Sequence, residues 1–382
     1  MARERLRALL VRAAWSAALL ALLLLAVEGG SFLALRALAW RARSMPLAPR
    51  AMAAYRQYPW AEAFWREQKR QLSLEYHPFG LWRSRPFSGE TINVDAEGVR
   101  LTLHSRCEPG DARAWLFGGS SMWGFGSPDA ETIPSLLAKR YAEAGRPVCA
   151  VNYGEDSWRA AQGVVKLTLE LQRAARRPDV VVFLNGCNDL FTPFFLTGRA
   201  DREWDFALAK PWLDDLVTRR YGSLAFLRAA NTLTLAQRVA TRLKGPAAWP
   251  RPSDPERLGA EVAEDFFRQI GAVDALARGY GFRYAFFWQP LAVTGSKRMT
   301  AEEQEGIQRQ LGLSYDLART AAASTHPLIR ARPRSNLHDL AGLFDGHAGS
   351  VYIDACHFLP EGNRLIADRM YEVLEGRGPA RR

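Results

Sequence analysis

Apolar positions follow two patterns along this chain. The first is a single unbroken block: residues 8–27 read ALLVRAAWSAALLALLLLAV, interrupted only by Arg12 near one end. About 20 helical residues at about 1.5 Å each match the roughly 30 Å hydrocarbon core of a bilayer, and an arginine near the end can reach the interface on its alkyl stem. No comparable run follows Trp40. The expectation is therefore one N-terminal transmembrane helix, with SFLALRALAW after the Glu28-Gly29-Gly30 break lying at the interface. A cleaved signal peptide is the rival reading, because Val27 and Gly29 leave small residues at plausible cleavage positions. Arg3, Arg5, Arg7 and Arg12 precede the block, and Arg36, Arg41, Arg43 and Arg50 follow it, so the positive-inside rule leaves orientation open.

The second pattern begins near Arg113. Short runs that are apolar at nearly every position, AWLFGG (114–119), VCAVNYG (148–154), VVVFLNG (180–186) and FRYAFFWQP (282–290), alternate with longer amphipathic segments. Strands apolar on both faces and separated by helices imply a parallel sheet covered on both sides, a three-layer α/β/α sandwich. A short fifth strand is expected at VYI (351–353), before DACHFLPEGN and a final helix. The chain divides into residues 1–45, a membrane anchor and interfacial segment; 46–110, a linker helix followed by a hairpin turning at Asp95–Gly98; 111–376, the sheet domain with an insertion at 190–256; and 377–382, a basic tail. Within the insertion, Leu216, Leu224, Leu227 and Leu235 against Arg219, Arg220, Arg228, Arg238 and Arg242 suggest an amphipathic helix, packed or acting as a membrane-facing lid.

Composition narrows the partners. With 48% hydrophobic and 24% charged residues the chain is globular, not disordered. Its net charge of +11 is spread mostly over arginines, with no block of five, no zinc-finger spacing and no aromatic-interleaved recognition motif, so the bilayer is an expected partner and nucleic acid is not. Cys107, Cys149, Cys187 and Cys356 form no metal-ligand spacing, and no metal or organic cofactor is expected. Behind an export signal they permit disulfides in three pairings, and four buried free thiols fit equally well.

In open parallel sheets ligands bind at the carboxyl ends of the strands. Those ends carry FGGSSMWGFG (117–126), NYGEDSW (152–158) and NGCND (185–189), and the DACH segment follows near the C-terminus. Together they hold what acyl transfer through a serine requires. A hydroxyl needs a base to take its proton, and the base needs a partner that fixes its tautomer. Ser120 is the expected nucleophile, with Ser121 as the alternative; His357 is the base and Asp354 its partner. The backbone N–H groups of Ser120 and Gly154 and the Asn188 amide are the expected oxyanion donors, with glycine at 154 sparing substrate a Cβ. Asp189 is expected to brace its own loop, and Trp123 and Phe125 to line a pocket or to pack.

The order of these blocks resembles that of the SGNH (GDSL-type) serine hydrolases, whose four signature residues fall on Ser120, Gly154, Asn188 and His357. Phe117, Gly118, Ser120 and Gly124 match the family's first block, where Gly119 replaces its usual Asp; Gly186, Asn188 and Asp189 match the third, and the sequence from Asp354 to His357 the last. The resemblance covers roughly residues 110–375 and implies a flavodoxin-like sandwich and an ester-bearing small-molecule, lipid or glycan substrate. The expected function is a membrane-anchored, extracytoplasmic serine esterase. An O-acyltransferase modifying polysaccharide and a catalytically inactive envelope scaffold are the alternatives. The lipase elbow GxSxG is absent around Ser120.

Overall fold

A computed structural model describes residues 2–44, 53–71, 74–197, 231–243 and 252–376. Much of the expected insertion (198–230 and 244–251) and the basic tail lie outside these residues. Among the described residues, the helices Ala2–Ser44 and Asn231–Leu243 form one compact unit and the remainder forms another.

In the first unit the N-terminal helix runs without interruption through Gly29 and Gly30, where the sequence suggested a break. Two glycines weaken a helix by about 1 kcal/mol each, and a local contact accompanies their helical state. The Glu28 carboxylate accepts hydrogen bonds from the backbone N–H of Asn231 and Thr232 and from both side chains, so it caps the helix Asn231–Leu243. From Leu6 to Val27 the large apolar side chains are exposed, and Arg3–Leu38 is long and apolar enough to cross a membrane. The helical expectation for the insertion holds over Asn231–Leu243.

In the second unit the sheet has five parallel strands. β5 (Ala112–Gly118), β6 (Val148–Asn152), β7 (Val180–Asn185), β8 (Arg283–Trp288) and β9 (Leu337–Asp339) lie in the order β6-β5-β7-β8-β9. Four antiparallel strands precede them: β1 (Leu74–His77) pairs with β2 (Leu81–Ser84), and β3 (Phe87–Ser88) with β4 (Asn93–Val94). The period of two sorts the sheet's side chains. Leu116, Val182, Leu184 and Phe287 meet the helices Ile133–Glu143 and Pro360–Leu374 on one face, whereas Trp115, Phe117, Phe183 and Phe286 meet Ala160–Arg173 and Pro255–Tyr280 on the other. On this second face Phe117, Phe183 and Phe286 stack across neighbouring strands at 5.1 and 4.4 Å between centroids.

The fifth strand is not where the sequence suggested. Leu337–Asp339 takes the edge beside β8, while Tyr352 makes only a single antiparallel bridge to Phe358. Ile353 N–H donates to His357 O (2.9 Å) and Leu359 N–H to Val351 O (2.8 Å), so the chain reverses at Asp354 before a strand can lengthen. The hairpin turn at Asp95–Gly98 forms, with Gly98 at φ 80° and its N–H 3.1 Å from Asp95 O. The linker helix is Ala61–Gln71, which buries Phe64 and Trp65 in an aromatic cluster with Tyr55 and Trp123; the β1–β2 hairpin after it carries no alternating pattern that announced it.

A disulfide joins Cys107 to Cys149 of β6, while Cys187 and Cys356 are free and buried. Ser105 Oγ also accepts from Ala150 N–H and donates to Ala150 O, both at 2.9 Å, and Arg106 N–H reaches Val148 O at 3.1 Å. The bond closes a loop of sequence separation 42. Removing it with Cys107→Ser is expected to destabilise this unit by about 2–4 kcal/mol. A denaturant midpoint unchanged from the parent protein would contradict that weight.

Candidate active site

The chain order explains where the site lies. From β5 the chain crosses to the edge strand β6 and then returns past β5 to β7 on its other side, leaving a crevice at the carboxyl end of β5. Ser120 opens the short helix Ser120–Trp123 there, directly after β5, with Gly119 in extended conformation before it and Gly124 left-handed after it. Its N–H is the first of that helix and has no intrahelical acceptor.

The structure brings Ser120, His357 and Asp354 into one chain of hydrogen bonds. Ser120 Oγ lies 2.7 Å from His357 Nε2, and His357 Nδ1 lies 2.7 Å from Asp354 Oδ2. An ionised carboxylate only accepts, so Nδ1 carries the ring proton and Nε2 presents its lone pair to the hydroxyl. The other Asp354 oxygen accepts from Cys356 N–H (3.0 Å) and His357 N–H (2.9 Å) and thereby fixes the turn that carries the imidazole. Burial pushes the Asp354 carboxyl up, but His357 and the backbone donors outweigh it and hold the group below its usual range. Burial likewise opposes the charged form of His357; Asp354 overcomes that and raises the imidazole well above its ordinary value. Such a site can deliver an alkoxide-like oxygen to an electrophile while the imidazole holds the proton.

Ser121 is used differently from Ser120. Its hydroxyl donates to Cys356 O at 2.9 Å, and Gln289 Nε2 donates to the same carbonyl at 3.2 Å and to Ser121 Oγ at 3.4 Å. The pair ties the serine helix and the end of β8 to the histidine turn. Sequence reasoning missed Gln289, although its place directly after a strand end was a usable signal.

The expected oxyanion donors border the same crevice. Asn188 Nδ2 donates to Trp158 O (3.0 Å), which leaves its second N–H for other partners, and Gly154 N–H donates to Asn152 Oδ1 (3.0 Å). The reason for glycine at 154 differs from the expected one. A Cβ there would sit 2.5 Å from Trp123 N and 2.8 Å from Met122 C, so the missing side chain admits the serine helix. Gly119 also has a local reason: a Cβ would fall 2.5 Å from Asn188 Nδ2, so the side chain usual in the resembled family would displace the amide as placed here. Asp189 accepts from Ala160 N–H (2.9 Å), Gly186 N–H (3.2 Å) and Asn185 Nδ2 (3.3 Å), joining the loops after β6 and β7. Trp123 is buried in the aromatic cluster, and Phe125 lies 4.4 Å from the His357 ring centroid.

The least expected contributor is Arg100, whose side chain is wholly buried. Its guanidinium donates to Asp129 Oδ1 (2.9 Å), Trp123 O (3.1 Å), Gly124 O (2.8 Å) and Ser127 O (2.7 Å), and stands 4.2 Å from the Trp123 ring centroid. It thus satisfies the carbonyls at the end of the serine helix, where a cation and its donors are favoured. Nothing in the hairpin sequence around residue 100 distinguishes this arginine from an exposed one.

No protein-family model matches the chain, and no curated protein does. Among solved structures, the chain is similar to a member of the lipolytic protein G-D-S-L family from Veillonella parvula at 13% identity, covering 69% of this chain and 97% of that one, with a TM-score of 0.35. It is also similar to the psychrotrophic esterase EstA from Pseudoalteromonas sp. at 11% identity, covering 70% and 98%, TM-score 0.35. An acetyl xylan esterase matches at 14% identity, covering 69% and 99%, TM-score 0.33.

Replacing Arg100 with Met would leave the buried Asp129 carboxylate without its cation and remove the guanidinium donors from the carbonyls of Trp123, Gly124 and Ser127. Breaking a buried pair this way costs about 3–5 kcal/mol. A urea midpoint within error of the parent would refute the anchoring role.

Proposed function

We propose that this chain is a membrane-anchored serine esterase of the SGNH type, with its sheet domain on the extracytoplasmic side. The observation that carries the reading is the continuous Ser120–His357–Asp354 hydrogen-bond chain at 2.7 Å in both links. In this mechanism Ser120 Oγ attacks an ester carbonyl as His357 Nε2 takes the hydroxyl proton. The Ser120 and Gly154 N–H groups and the Asn188 amide face the developing oxyanion, with Gly154 sharing its proton between Asn152 and the new charge. His357 returns the proton to the departing alcohol, leaving an acyl group on Ser120. Water, deprotonated by the same nitrogen, then attacks that acyl group and frees the acid.

Two observations support the anchor and its side. The N-terminal helix exposes its apolar residues and is long enough to span. The Cys107–Cys149 disulfide fits an oxidising compartment and so supports the extracytoplasmic side, on which the balanced arginines are silent. Anchored there, the site would meet acyl esters of envelope glycans or lipids.

A biotinylated fluorophosphonate that does not cross membranes, added to spheroplasts, is expected to label Ser120. Ser120→Ala should lose both the label and p-nitrophenyl ester hydrolysis, by about 10⁴-fold or more. Hydrolysis that survives this substitution, or labelling only after lysis, would refute the serine or the side respectively.

The pH profile follows from His357. The base accepts a proton only when neutral, and its pKa is raised above the ordinary 6.5, so activity falls as pH drops through a midpoint on the alkaline side of 6.5. Asp354→Asn should move that midpoint of kcat/KM downwards as well as lower the rate. A parent midpoint at or below 6.5 would contradict the coupling.

A further inference from the structure

The triad has an unusual back side. Cys356 sits between Asp354 and His357, with Sγ 3.8 Å from His357 Nδ1. The ligand atoms of Asp354, Cys356 and His357 all lie within 4.8 Å of one another. Cys187, which precedes Asn188, hydrogen-bonds to Cys356, and both thiols are free and buried in the same apolar cluster. Thus one sulfur, an imidazole nitrogen and a carboxylate oxygen converge beneath the catalytic turn, with the Cys187 thiol beside the Cys356 sulfur, and the mechanism above uses neither sulfur.

The donor set and spacing select a class of ligand. Thiolate and imidazole suit zinc-like cations, whereas magnesium and calcium take oxygen. With metal–sulfur and metal–nitrogen bonds of about 2.3 and 2.1 Å, tetrahedral angles place the two ligand atoms roughly 3.5 Å apart. The observed 3.8 Å separation of Sγ and Nδ1 needs little adjustment. Asp354 Oδ2 must retreat somewhat from its 2.7 Å contact, while Oδ1 stays held by two backbone N–H groups.

We propose that Cys356 Sγ, His357 Nδ1 and Asp354 Oδ2, with the Cys187 thiol at the fourth position, bind a thiophilic divalent cation of the zinc class and that its binding switches the site off. The second half rests on the esterase reading; the first does not. Binding releases the protons of the ligating thiols to solvent and, by exchange with water, moves the ring's single proton from Nδ1 to Nε2. A neutral imidazole coordinated through Nδ1 carries its remaining proton on Nε2. That nitrogen then donates towards Ser120 Oγ and cannot accept the hydroxyl proton, so the nucleophile is left without its base. The cation would thus act as a reversible inhibitor reached from behind the crevice.

The test uses the full-length protein in detergent, handled under argon so that the free thiols stay reduced and the Cys107–Cys149 disulfide stays intact. Cobalt(II) serves as the spectroscopic probe and zinc(II) as the inhibitor. One equivalent of cobalt should produce a near-ultraviolet thiolate-to-metal charge-transfer band that zinc abolishes. Cys356→Ser should remove the band, and Cys187→Ala should weaken cobalt binding at least tenfold. In the parent, zinc should lower ester hydrolysis at least tenfold, and a chelator should restore it; in Cys356→Ser the ratio of rates with and without zinc should stay within about twofold.

The band is read without any ester, so its absence in the parent overturns the metal site whatever the activity. A band that persists in a Cys187→Ala/Cys356→Ala double variant puts the ion elsewhere and also overturns it. The parent alone decides the matter if the variants fail to fold. A stoichiometric band with undiminished hydrolysis overturns the inhibitory half. Loss of hydrolysis in the metal-free parent would instead count against the esterase reading.

Discussion

One carboxylate organises the proposed active site. Asp354 spends one oxygen on the two amides that shape the turn beneath it and the other on the imidazole above, so backbone conformation and ring orientation are set by the same group. A histidine on a free loop would sample many rotamers; here the rotamer is selected by a contact three residues away in sequence. The charge that selects it also favours the imidazolium, and a general base gains from both effects at once.

The remaining geometry follows from how closely backbones approach this point. Gly118, Gly119 and Gly154 each lack a side chain where the serine helix, the Asn188 amide or the carbonyl of Leu184 would collide with one. Arg100 then holds the far end of the serine helix through its carbonyls. Ser120 is therefore gripped at both ends of a helix only four residues long, an element with little stability of its own. Buried polar contacts of this kind are costly if incomplete, which concentrates the protein's precision around the serine.

Much of this architecture was legible in the sequence. Four of the five strands of the main sheet announced themselves because a strand covered on both faces is apolar at every position, and the site residues followed because they stand at strand ends. What escaped notice was of two kinds. The edge strand Leu337–Asp339 is three residues long and half-buried, too short to show a period, whereas the apolar 351–353 was claimed by the turn that Asp354 imposes. Arg100 owes its position to partners further along the chain, so its local sequence carries no sign of burial, whereas Gln289 stood at a strand end and went unread. Glycine at 154 was expected at the site, but only coordinates could reveal which neighbour it makes room for. Likewise, the spacing of four cysteines could not rank their pairings, and the register of β6 against the preceding segment does.

The covalent link at Cys149 has a consequence for association as well as for folding. β6 is the outermost strand on its side, and its outward backbone groups at Val148, Ala150 and Asn152 are already taken by residues 100–106, beside the sulfur bridge. A strand edge occupied by its own chain offers no template for another. At the opposite margin the exposed edge is only three residues long. Under the proposed anchoring, copies would meet at high local density, and a sheet so finished at both margins resists stacking into ribbons with them.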